Sequence, residues 1–192
     1  MAQEIHNHGD IEKQVNIQKN KGNIILSNKT RFAKRFEKLN AEVANQEKYE
    51  GVMESFKYYL TKLDGVDLTT KLQDGGFNEP EIFKASIRKQ NYAKKQRINR
   101  FYESAQWIDT QLFAKIKMDF EAYVEIPLIQ NGVSKEIIFQ TVVEKVIYPT
   151  LELINQEGEN DEVLNYNVED IFGMVYYLTG KCHINWANYD NV

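Results

Sequence analysis

Few residues in this chain have types and spacings that could do chemistry. The only cysteine, Cys182, stands beside His183, one of three histidines, and a thiol paired with an imidazole is how a cysteine nucleophile is activated. Neighbours on an extended segment point to opposite faces, so these two side chains are poor partners for one another. The plainer reading makes Cys182 a small buried hydrophobe and His183 a hydrogen-bonded packing residue. His6 and His8 stand two apart and project the same way from an extended chain, but a structural zinc site wants four ligands at recognised spacings. They read as a solvated pair. No phosphate loop, nucleophile elbow or dinucleotide glycine fingerprint occurs. The expectation is a protein that is not an enzyme and carries no catalytic residue, metal or cofactor.

Charge gives a stronger signal. Lys84, Arg88, Lys89, Lys94, Lys95, Arg97 and Arg100 fall within residues 82–102 with no acid among them, and Tyr92 stands in their midst. Cations interleaved with an aromatic suit a nucleic-acid backbone and a stacked base. A second run, Lys29, Arg31, Lys34, Arg35 and Lys38, is diluted by Glu37, while acids gather at Glu152, Glu157, Glu159, Asp161, Glu162, Glu169 and Asp170. The net charge of −4 conceals this segregation. It has three readings: a basic face for nucleic acid, complementary faces that steer protein partners together, or a solvated helix face with no further role.

The elements that must position these groups follow from hydrophobic period. Ile11, Val15 and Ile17 alternate with polar residues, Gly22 can supply a turn, and Ile24, Ile25 and Leu26 can return as a second strand. A β-hairpin over residues 1–27 is expected. A lone hairpin is marginal in water, so Ile11, Val15, Ile17, Ile24 and Leu26 become candidate assembly contacts, within the chain or between copies in a homo-oligomer. From Thr30 the period lengthens to three and four, predicting a helix or helix pair broken near Gly51, capped by Asn28 or Thr30. Asp64-Gly65 and Asp74-Gly75-Gly76 mark a loop region.

Asn78 as cap and Pro80 near the first turn open the clearest helix, with an apolar stripe of Ile82, Phe83, Ile87, Ile98, Phe101, Ile108, Leu112, Ile116 and Phe120 that thins between Lys89 and Arg97. Pro127 is expected to end that run. Ser134 caps a further helical stretch with a kink or restart at Pro149, and Asn167 caps the last helix. Gly180 is expected to stop it in a left-handed C-cap, followed by a short extended segment whose Trp186 packs on the core. Tyr58-Tyr59 and Tyr176-Tyr177 are read as core fillers.

At 192 residues, 42% hydrophobic and 27% charged, the chain suits a folded core with balanced charge. One cysteine makes no intrachain disulfide, the first residues lack a signal-peptide layout, and no apolar run approaches the ~20 residues that span a bilayer. A cytoplasmic protein without a membrane partner is expected. The fold class is mainly α: a helical bundle over residues 28–192 with an N-terminal β-hairpin and a short extended C-terminal segment.

Three stretches together resemble the C-terminal interaction domains of prokaryotic ABC-three component defence systems. They are Gly9-Asp-Ile-Glu-Lys-Gln-Val-Asn-Ile17 with Gly22-Asn-Ile, then Leu72-Gln-Asp-Gly-Gly-Phe77, and above all Ile171-Phe-Gly-Met-Val-Tyr-Tyr-Leu-Thr-Gly-Lys-Cys-His-Ile-Asn-Trp186. Gly173, Leu178, Gly180, Cys182, His183 and Trp186 form the structural signature. The resemblance implies a non-catalytic subunit in antiphage immunity, working with an ABC-type ATPase and a middle component to couple invader sensing to an effector; either the effector is a separate protein, or this chain is a stand-alone subunit whose assembly is itself the signal. It supplies no catalytic residues. The alternative function is a nucleic-acid-binding adaptor using residues 84–100.

Overall fold

The computed structural model describes residues 29–188. Its helices are α1 (Arg31–Ala44), α2 (Glu54–Leu60), α3 (Leu68–Asp74), α4 (Glu79–Asn99), α5 (Glu103–Phe120), α6 (Lys135–Val142), α7 (Tyr148–Glu157) and α8 (Val168–Gly180), with π-helical segments at Glu121–Ile129 and Val143–Ile147. Among the described residues there is no strand. The class expected from sequence, mainly α with a β-hairpin and an extended end, is therefore corrected: the described residues are helical without strands, and the hairpin is not supported. The expected hairpin, with Ile11, Val15, Ile17, Ile24 and Leu26, lies outside the described residues, as do His6 and His8. The extended segment expected after Gly180 is a sequence of turns.

Local chemistry explains several helix starts. Thr30, Asn78 and Asn167 each accept a backbone N–H of the first turn, and Asn78 and Asn167 complete capping boxes with Glu81 and Asp170, satisfying N–H groups the helix itself leaves orphaned. α5 begins differently. Its N-cap Tyr102 makes no side-chain cap, and the buried carboxylate of Glu42 on α1 instead accepts Ser104 N at 3.1 Å and Ser104 Oγ at 2.8 Å. A carboxylate at a helix N-terminus also meets the positive end of the helix dipole.

Helices α5 and α8 form the centre. In α8 every residue from Asp170 to Thr179 is buried, which is what a helix apolar around its whole circumference requires. α4 lies along α8, and Gly173 makes the approach close: a Cβ there would stand 2.6 Å from Tyr92 Cβ and 2.7 Å from the Arg88 carbonyl.

Three expectations about helix ends are corrected. The long run after Asn78 breaks at residues 100–102, where Gln106 Nε2 donates to the Arg100 and Gly51 carbonyls at 2.7 and 2.9 Å. Pro127 does not end a helix but sits inside the π-helical segment, where a wider turn relieves the clash a proline makes with the carbonyl four residues back. Gly180 is not left-handed. It lies within α8, and the positive φ of +69° belongs to Cys182. Cys182 N bonds the Thr179 carbonyl and His183 N bonds the Leu178 carbonyl at 2.9 Å, the paired bonds of a Schellman motif with cysteine in the place usually given to glycine.

Candidate interaction surface

The seven cations of α4 and its C-cap divide into two sets. Arg88 makes a bidentate pair with Glu169, Nε at 2.7 Å and Nη2 at 2.8 Å, with its guanidinium 4.3 Å from the Phe172 ring centre. Lys95 pairs with Asp170 at 2.7 Å and lies over Tyr166. Lys89 is half-buried, its pKa lowered chiefly by desolvation, and its ammonium occupies space that a Cβ at Gly180 would invade, 2.6 Å away. These three cations face α8. Part of the segregation seen in the sequence is an ion-pair seam of two pairs between α4 and the acidic first turn of α8. Tyr92 is wholly buried among Phe113, Tyr166 and Tyr177, so it presents no ring to a base.

Lys84, Lys94, Arg97 and Arg100 are exposed. With them stand apolar side chains that the sequence assigned to a core stripe: Phe83 is 67% exposed, Ile98 70%, and Ile87 and Phe101 are also exposed. α4 carries apolar residues on two faces. Ile82, Ala85 and Tyr92 point inward, while Phe83, Ile87, Lys94 and Ile98, separated by four, seven and four residues, line the outward ridge. Lys84 also borders a groove of about 470 Å³ that it shares with the carboxylates of Glu81 and Glu136, with Arg88 and Lys135, and with the rings of Phe77, Phe139 and Tyr176.

The signature residues lie in a structural latch. Trp186 is buried, its indole N–H donating to Thr179 Oγ1 at 3.0 Å and its ring meeting Phe77 at 5.0 Å and Phe120 at 5.1 Å. Gly75 lies so close that a Cβ would stand 2.7 Å from Trp186 Cβ. The motif at residues 72–77 and the terminal motif thus meet in space. The Cys182 thiol donates toward Asp64 Oδ1 and the Val66 carbonyl, which helps hold its unusual φ, and the hydrogen bonds from Cys182, Val66 and Lys71 keep the Asp64 carboxyl below its ordinary pKa against the opposing effect of desolvation. His183 turns the other way, between Tyr58 and Tyr59 at 4.8 and 5.3 Å. Its pKa is lowered, chiefly by burial. Tyr58 is half-exposed rather than a core filler, whereas Tyr59, Tyr176 and Tyr177 are buried.

Several buried polar residues escaped the sequence reading. Lys71 is 1% exposed and bonds Asn185 Oδ1 at 2.6 Å and Asp64 Oδ2 at 3.1 Å. Asp109 is buried on α5, accepts the Tyr166 hydroxyl at 2.6 Å, and has its pKa pushed to about 7 by desolvation. A mid-helix acid is the one hint of this site in the sequence, and its partner lies 57 residues away. Among the described residues no cluster of three or more His, Cys, Asp or Glu side chains is placed to hold a metal, and no helix is long and apolar enough to cross a membrane.

The described residues form an all-helical domain with a buried aromatic latch and an exposed apolar and basic helix face. The chain belongs to the family described as C-terminal domain 9 of the ABC-three component (ABC-3C) systems, whose model matches residues 67–186. The match takes in α3 to α8 and the latch. No curated protein and no solved structure matches the chain.

Proposed function

We propose that this chain is a non-catalytic interaction subunit of a prokaryotic antiphage defence system. It acts in the cytoplasm beside an ABC-type ATPase and a middle component, and links the ATPase to an effector. Membership of the ABC-3C family supports the setting, since a domain of a multi-component system works through protein partners. The observation that carries the reading is the outward ridge of α4: large apolar side chains left in water on a well-formed helix mark an interaction site when they lie together.

A nucleic-acid adaptor is the second reading, favoured by Lys84, Lys94, Arg97 and Arg100 facing solvent. Phosphate contact alone gives no reason for Phe83 and Ile98 to stand among them, because backbone binding is electrostatic. The test is co-expression of the tagged full chain with the ATPase and middle component of its system. Retention of both proteins in the eluate through a salt wash is expected. A chain that elutes alone removes the proposal, and one that elutes with nucleic acid and no protein replaces it with the adaptor.

A further inference from the structure

We infer that the outward face of α4 docks an acidic amphipathic helix of a partner protein. This rests on the interaction reading above and names the partner's chemistry. Phe83, Ile87 and Ile98 stand on one ridge, and Phe101 continues it just past the helix end. The intervals from Phe83 to Ile87, Ile87 to Ile98 and Ile98 to Phe101 are four, eleven and three residues, each close to a whole number of helical turns, so the first three side chains share one face that another helix can pack against. The 21 residues of α4 span roughly 30 Å, enough for about five turns of a partner.

The sign of the partner's charge follows from what lies between the anchors. Residues 82–102 contain no acid, and the cations that could have been neutralised internally already are: Arg88 by Glu169 and Lys95 by Asp170. Lys94 stands on the ridge with Arg97 and Arg100 exposed beside it, while Lys84 lies near the Glu81 carboxylate. A basic or neutral helix would leave those charges repelled or partly desolvated, whereas an acidic one meets opposite charge on and beside the ridge while packing against its apolar side chains. A nucleic acid would satisfy the cations but would bury Phe83, Ile87 and Ile98 against a charged, hydrated backbone.

The test titrates the full chain into three labelled probes: a helical peptide with Leu at heptad positions flanked by Glu, the same peptide with Lys for Glu, and a single-stranded oligonucleotide. Anisotropy is followed at about 50 and 200 mM salt, where electrostatic contacts weaken measurably. The acidic peptide is expected to bind at least roughly tenfold tighter than the basic one. K94E/R97E should reverse that preference, and F83S/I98S should weaken binding of the acidic peptide by roughly tenfold or more. Equal or absent peptide binding, tighter binding of the oligonucleotide, or a mass in solution that doubles and returns to the monomer value in F83S/I98S each overturns the inference, the last by making a second copy the occupant. If F83S/I98S still co-purifies with the ATPase and middle component, this surface is wrong and the interaction reading stands. If the unaltered chain co-purifies with neither, the reading itself fails.

Discussion

Trp186 fills the space where the loop after α3, the C-terminal end of α5 and the end of α8 converge, with its indole N–H bonded to Thr179. Removing a large buried aromatic leaves a cavity as well as lost contact. Trp186→Ala is expected to cost about 3 to 5 kcal/mol in chemical denaturation, and a loss below ~1 kcal/mol would mean the latch is not part of the cooperative core. Asp109 makes a prediction of opposite character. Its carboxyl is buried beside Tyr166, and its pKa is raised from 3.8 to about 7, so the folded state binds the proton more tightly than the unfolded one. Its contribution is most favourable below the unfolded value and falls as pH rises toward about 7, at up to about 1.4 kcal/mol per pH unit. Asp109→Asn keeps an acceptor for the Tyr166 hydroxyl and removes the titration. Urea unfolding at about pH 5 and pH 8 should show the variant gaining on the parent by a few kcal/mol at the higher pH. Parallel stabilities at the two values would contradict the burial of an ionisable carboxyl there.

The elements show why some features were legible in the sequence and others were not. Caps were readable because Thr30, Asn78 and Asn167 reach backbone N–H groups only two or three residues away. The faces of α4 were not, because apolar residues at helical spacing occur on both sides of it, and period alone does not say which side meets α8. Gly173 was legible as a signature but not as a close approach, and Lys71 gave no sign of burial because its partner Asn185 lies 114 residues along the chain. Two predictions belong to this scale. Gly173→Ala would press a methyl group onto Tyr92 and the Arg88 carbonyl, and overpacking of a rigid helix contact costs about 1 to 3 kcal/mol. Thermal unfolding of this variant should show the loss, and an unchanged midpoint would mean the α4–α8 seam is slack. F83S/I98S, by contrast, alters only exposed positions, so its stability should stay within about 0.5 kcal/mol of the parent. A large loss would show the ridge to be packed rather than available.

For the whole molecule, the sequence pointed to a mainly helical chain and to the ABC-3C family, and the family match over residues 67–186 bears out the second. It did not reveal how charge is used. A run of seven cations looks uniform in one dimension, yet in three dimensions Arg88, Lys89 and Lys95 face α8 and Lys84, Lys94, Arg97 and Arg100 face water. The outward set, with Phe83, Ile87 and Ile98, is what remains for a partner. The most direct measurement is the affinity of the full chain for the purified pair of ATPase and middle component, compared with F83S/I98S under the same salt. Saturable binding by the parent and a loss of roughly tenfold or more in the variant is the expected result. Equal affinities, or no binding by either, would contradict the assignment of this helix face to partner recognition.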